Sequence, residues 1–140
     1  MILAGDRERV AAFVNARIRD GHDISKGYEA LGALDESGNL IGGFVFYNWT
    51  QYPDGGDVWI AVAGGGPWLT RANLREWFSY PFLQLGCNRV TSLVAKSNRK
   101  SRELVERLGG VREGRIRGAR GPGKASIIYG MLKSECKWIR

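Results

Sequence analysis

A chain of 140 residues that is 44% apolar, 25% charged and 11% aromatic can bury one core but not two, which predicts a single domain over residues 1–140 and argues against disorder. No stretch nears the roughly 20 apolar residues of a membrane span. The opening residues reach Asp6 and Arg7 too early for a secretory apolar region, so an intracellular, cytoplasmic and soluble protein with no membrane partner is expected.

The net charge of +7 is unevenly spread: residues 1–98 hold nine Lys/Arg against ten Asp/Glu, whereas residues 99–140 hold twelve against four. A basic field of this kind attracts nucleic acid, an anionic surface or a phosphorylated small molecule, and the arrangement of residues has to decide among them.

In chain order, Asp6 can cap an amphipathic helix carrying Val10, Phe13, Val14 and Ile18, ended by Asp20 and Gly21. Residues 28–34 and 40–49 read as strands of a hairpin around the turn 35–39, residues 51–56 as a loop, and 58–63 as a buried central strand. Helical spacing resumes near Trp68 with Leu74, Trp77, Phe78, Phe82 and Leu85 on one face, and Pro81 must kink or divide that helix. A strand at 89–95, a helix at 98–108 stopped by Gly109 and Gly110, and strands at 111–117 and 125–132 around the turn 120–123 complete the chain. Residues 1–3 supply at most a short first strand. The order predicts an α+β fold, a mixed sheet with helices packed on it.

Two cysteines 49 positions apart and the single histidine, His22, offer no zinc-ligand spacing, so no metal is expected. His22 stands in the polar connection Asp20-Gly21-His22-Asp23 with no nucleophile motif nearby and reads as a solvated loop residue. Both cysteines are expected as reduced thiols.

Two strand-to-helix junctions carry the chemical signal. After the strand at 58–63 come Gly64, Gly65, Gly66 and Pro67, then a helix start between Trp68 and Arg71, where backbone N–H groups lack internal partners and the dipole favours an anion. The second follows residues 94–97, where Asn98 is a good N-cap and Lys96, Arg99, Lys100 and Arg102 crowd the positive end of the next helix. Cations there oppose the helix dipole and gain purpose if an anion docks beside them. Two such junctions in one sheet suit a ligand with several phosphates. Neither a P-loop nor a GxGxxG pattern is present.

The run from Leu85 to Trp138 carries a resemblance. Leu85-Gly86-Cys87-Asn88-Arg89-Val90, Asn98 with Ser101, Val105-Glu106-Arg107-Leu108-Gly109-Gly110, Glu113-Gly114 and Ile128-Tyr129-Gly130-Met131-Leu132 resemble the C-terminal half of the GNAT acyltransferase superfamily, and most of all its branch of ribosomal-protein N-terminal acetyltransferases. The resemblance is clear after Arg71 and weak between Gly32 and Arg71. It implies a largely antiparallel, twisted sheet with a splayed central strand pair, here 58–63 and 89–95, and acetyl-CoA held in the gap as co-substrate. Ala61, Val62 and Ala63 would hold the pantetheine arm; the amides from Trp68 through Thr70 and Arg71 to Ala72 would receive the pyrophosphate, with Arg71 as counter-charge. Asn98 would contact pantetheine and Ser101 would lie near the thioester sulfur. The family's phosphate loop reads Gln/Arg-x-x-Gly-x-Gly/Ala; in the register set by Phe82 and Leu85 this chain has Gly65, Trp68 and Thr70 there, which sets a bulky indole where phosphate approaches. Val105 stands where many relatives carry a tyrosine, leaving Ser101 or water to protonate the thiolate.

The implied reaction is direct acetyl transfer to a primary amine of a protein or small molecule, with a strand N–H receiving the developing oxyanion and a base removing the ammonium proton. Asp57 is the best-placed carboxylate for that base, competing with a purely exposed strand-end role. Tyr47, Trp49 and Trp59 could wall the acceptor pocket, and Tyr129 is a lesser choice for the acid, each against a packing role. The basic balance points mildly to an acidic or ribonucleoprotein acceptor. A basic nucleic-acid-binding module, with Arg112, Arg115, Arg117, Arg120 and Lys124 gripping phosphates, and an inactive interaction protein of the same fold remain as alternatives.

Overall fold

The computed structural model describes residues 1–18 and 24–140. Its elements are β1 (Ile2–Leu3), α1 (Arg7–Arg17), β2 (Tyr28–Leu34), β3 (Leu40–Tyr52), β4 (Gly55–Gly64), α2 (Arg71–Ser79), a π-turn at Tyr80–Gln84, β5 (Arg89–Ala95), α3 (Arg99–Leu108), β6 (Val111–Ile116), β7 (Ser126–Leu132) and two 3-10 turns, Lys133–Glu135 and Lys137–Ile139. The reading of His22 falls outside the described residues, and the helix end expected at Asp20 and Gly21 is corrected: α1 stops at Arg17, with Ile18 already extended.

The strands form one sheet in the order β1-β2-β3-β4-β5-β7-β6. Every neighbouring pair is antiparallel except β4 and β5, which run parallel. This is the α+β architecture that the element order predicts. Helix α1 packs Val10, Ala11 and Val14 onto β2, β3 and β4 on one face. On the other face, Leu74, Trp77 and Phe78 of α2 meet Phe44, Phe46 and Ile60. The Trp77 indole stacks on Phe44 with ring centres 4.7 Å apart and donates its N–H to the Leu31 carbonyl at 3.0 Å, so this wholly buried ring leaves no polar atom unsatisfied.

One local reading is corrected and two are made definite. Residues 51–56 are not a loop: β3 and β4 stay paired out to Tyr52 and Gly55, and the chain reverses at Pro53 and Asp54 alone. The turn signal is real, but cross-strand pairing runs up to its edge. Of the start expected between Trp68 and Arg71, the second helix takes the far end, Arg71, because the Thr70 hydroxyl caps it by accepting the Asn73 amide at 3.1 Å. Pro81 divides the helix: with no N–H of its own it widens the next turn, where the Leu85 amide donates five residues back to Tyr80 at 2.9 Å. Beyond this, Trp138 donates its indole N–H to the Leu108 carbonyl at 2.8 Å, tying the last 3-10 turn to the end of α3. Cys87 and Cys136 are free thiols, each 1% exposed. No described helix is long and apolar enough to cross a membrane.

Candidate active site

The parallel pairing of β4 with β5 covers only Asp57, Val58 and Trp59 against Arg89, Val90 and Thr91. Beyond Trp59 the strands part: β4 stays paired with β3 to Gly64, and β5 with β7 to Ala95, so the two facing edges lose their ladder partner. Backbone N–H and C=O groups along such a gap need another chain or a ligand to meet them. The splay appears in neither strand's hydrophobic pattern, because parting changes the partner and leaves the burial of each face intact.

At the open end lies a cleft of about 930 Å³, lined by the end of β4, the loop 64–70, the start of α3 and the end of α1. It brings together Val62, Ala63, Trp68, Thr70, Asn98 and Ser101 of the residues singled out from sequence. Ala61 lies one step further into the gap, while Arg71 and Ala72 open α2 just behind the lining loop. Leu74 is the first residue of α2 whose amide returns to Thr70, and Asn73 is capped, so the Arg71 and Ala72 amides have no intrahelical acceptor. The Trp68 amide is spent on the Gly66 carbonyl at 2.9 Å.

Trp68 does not stand where phosphate would approach. Its indole is 3% exposed and turns into the core among Phe44 and Trp77. Gly42 and Gly64 make room: a Cβ on either would collide with the ring. The departure from the family's glycine pattern therefore anchors the loop from below instead of blocking its upper side. Asn73, which sequence reasoning did not single out, completes the anchor by donating its side-chain N–H to the Trp68 carbonyl at 3.1 Å. Its signal was an amide directly beside the apolar face of α2, one turn before Trp77.

At the second junction, Asn98 caps α3 by accepting the Ser101 amide at 3.2 Å, and Gly109 ends the helix with φ of 110°. Arg17, Lys100 and Arg107 line the cleft against one acid, Glu103, giving it a positive field. Lys100 belongs to the basic crowd noted in the sequence; Arg17 and Arg107 are seen only once the helices are packed.

Asp57 sits at the paired end of β4, six residues and hence about 20 Å of strand from Ala63. Both of its carboxylate oxygens stand 2.9 Å from the Thr91 hydroxyl, which donates, and Arg89 approaches at 3.8 Å. Burial pushes this carboxyl above the usual range, and the Thr91 hydrogen bond and then Arg89 draw it partly back. Arg89 also grips Glu113 at 2.6 Å, across Gly130, where any side chain would collide with the pair. Tyr129 is 1% exposed and donates its hydroxyl to Glu106 at 2.7 Å. Tyr47 is buried edge-on to Trp59, whereas Trp49 is 54% exposed.

No family model matches the chain. In Bacillus subtilis (strain 168), the protein named "Putative ribosomal N-acetyltransferase YdaF" is 32% identical over 103 residues, 70% of this chain and 56% of that protein, so the chain spans little more than half the length of this curated relative. A crystal structure named "Probable acetyltransferase" is 27% identical with a TM-score of 0.64, over 93% of this chain and 68% of that one. Two further solved structures share the fold at 16% identity. The ribosomal-protein-S5-alanine acetyltransferase of Vibrio fischeri has a TM-score of 0.63 over 94% of this chain and 71% of its own. The spermidine N-acetyltransferase of Vibrio cholerae, solved with CoA and spermine, has a TM-score of 0.72 over 100% and 98%. With the strand order, the single splayed parallel pair and these likenesses, the chain has the GNAT acetyltransferase fold and is similar in sequence to a ribosomal N-acetyltransferase, as the motifs after Leu85 imply.

Proposed function

We propose that this protein is an N-acetyltransferase that moves an acetyl group from acetyl-CoA to a primary amine by direct transfer. The observation that carries the reading is the cleft below the parted ends of β4 and β5, where two helix starts, an amide-rich loop and three cations converge. A molecule with a long polar arm and several phosphates fits that donor set: the unpaired strand edge suits the arm, and the helix starts and cations suit the phosphates.

Acetyl-CoA supplies the activated acyl carbon. In this reading Ala61, Val62 and Ala63 hold the arm through the β4 backbone. Thr70 and the Arg71 and Ala72 amides receive the pyrophosphate, with the Arg71 side chain as counter-charge and Trp68 fixing the loop from the core side. Asn98 orients the arm, and the Ser101 hydroxyl donates toward the sulfur as its negative charge grows. Asp57 takes a proton from the acceptor's ammonium through water, from the paired side of the splay, and the neutral amine so formed attacks the thioester carbon. The acceptor is an amine on a protein or small molecule. Two buried free thiols suit a reducing, cytoplasmic setting.

Calorimetry with acetyl-CoA tests the binding step directly, and a panel of amines tests transfer. Saturable heat together with release of free CoA on at least one amine is expected. Absence of heat at millimolar acetyl-CoA, with the protein folded by circular dichroism, overturns the proposal.

A further inference from the structure

A second cleft, of about 640 Å³, opens on the other side of the end of β5. Lys96 and Ser97 supply one wall, and Arg115, Arg120 and Lys124 from β6 and the β6–β7 connection supply the other. No acidic side chain lines it among the described residues. Four cations in so small a volume repel one another, and an arrangement that costs stability in the empty state gains when an anion enters.

The connection that carries these cations is built to hold its shape. Arg120 donates its side-chain Nε to the hydroxyl of wholly buried Ser126 at 3.0 Å, its amide to the Lys124 carbonyl at 3.0 Å, and the Lys124 amide returns to Gly121 at 3.0 Å. Lys96 is fixed by its own amide, which donates to Ala125 at 2.9 Å. Arg120 and Lys96 are therefore presented by a locked backbone rather than by a loose arm.

The cleft also adjoins the open end of the gap, since Ala95 closes β5 and lines it. Arg120 acts electrostatically on Tyr47, Tyr47 packs against Trp59, and Trp59 is the last residue of β4 paired before the strands part. On the opposite side, Lys96 and Ser97 run directly into Asn98 of the first cleft. A molecule whose amine reaches the splay would thus lay its neighbouring groups among Lys96, Arg115, Arg120 and Lys124.

We infer that this cleft selects an anionic acyl acceptor, one whose amine is followed closely by carboxylate or phosphate groups, and turns away polycationic amines. The inference rests on the acetyltransferase reading and names the acceptor class for it. It departs from the polyamine handled by the spermidine N-acetyltransferase of the same fold. A polyamine entering here would meet four like charges.

The test uses short peptides with a free α-amine and a blocked C-terminus, identical except for glutamate, glutamine, phosphoserine or lysine at the positions after the first, with spermine alongside. Steady-state kcat/KM is measured with saturating acetyl-CoA, and peptide binding is measured separately by fluorescence anisotropy in the presence of CoA. The glutamate or phosphoserine peptide is expected to exceed the glutamine peptide by about tenfold, since two or three partly exposed ion pairs supply that much. Whichever of the two leads identifies the anion. Arg115→Ala and Lys124→Ala should each reduce the advantage about threefold while leaving the KM for acetyl-CoA unchanged. Equal turnover of glutamate and glutamine peptides, or preference for lysine peptide or spermine, overturns the inference and leaves the transferase reading standing. If no amine is acetylated and acetyl-CoA does not bind, the transferase reading falls; anisotropy still reads the cleft, and equal binding of glutamate and glutamine peptides overturns it there.

Discussion

The indole of Trp68 rests against Gly64, in space that a single methyl group on that glycine would fill. The loop 64–70 thereby acquires a floor, and the amides at its far end are held at a fixed height over the cleft. Gly64→Ala must push the ring out of a well-packed aromatic cluster, at a cost of about 1–3 kcal/mol. Urea unfolding should show a lowered midpoint, and calorimetry a weaker affinity for acetyl-CoA. An unchanged midpoint would contradict this account of the loop.

Asn98 has a structural role, capping α3, and a proposed one, orienting acetyl-CoA. The two separate by substitution. Asn98→Ala should cost about 1 kcal/mol of stability and raise the KM for acetyl-CoA. Asn98→Asp keeps an acceptor for the Ser101 amide, so stability should return to within about 0.5 kcal/mol of the parent while the KM stays raised. Recovery of both in Asn98→Asp would reduce Asn98 to a cap.

Much of the fold was legible because its signals are local. The strands at 28–34 and 89–95 have the boundaries observed, since turn residues bracket them and β-branched and aromatic residues fill them or their partners. Asn98 and Ser101 were legible for the same reason: a cap is chemistry within four residues. The splay was reached through the resemblance alone, because it is a relation between two strands. The direction of the Trp68 ring depends on Gly42, far away in sequence, and the strap from Arg89 over Gly130 to Glu113 needs three strands in register. Such features become visible only once the sheet order is known.

Asp57 gives a pH-dependent prediction. Burial raises its carboxyl above the ordinary value of 3.8, so the folded protein favours the protonated form, and ionising it costs stability as pH rises through the shifted value. A base must be ionised, so kcat/KM should rise with pH through an inflection above 3.8. Asp57→Asn should remove that limb, lower kcat by about a hundredfold or more, and leave neutral-pH stability unchanged or improved. Full activity in Asp57→Asn would transfer the base role elsewhere.

Glu113 behaves in the opposite sense. Its hydrogen bond with Arg89 holds its carboxyl below the ordinary 4.5, so its stabilisation is complete above that value and is lost as pH falls through the depressed one. Glu113→Gln should therefore lower the Tm at pH 7, with the gap to the parent closing toward pH 3. Gly130→Ala should follow the same pattern superimposed on a steric penalty that is independent of pH. A gap that widens in acid would contradict the assignment. Scanning calorimetry across a pH series reads both.

The two thiols give the molecule a built-in record of its own opening. Cys87 and Cys136 are enclosed in the same core cluster, and burial raises both above the ordinary thiol value, so little of the nucleophilic thiolate is present and none of it meets the solvent directly. An alkylating reagent can reach either sulfur only when the surrounding packing gives way. Labelling rates at the two sites, followed separately by mass spectrometry, would time how often the packing around each thiol opens, and a ligand that binds the closed form would slow that clock without touching either cysteine.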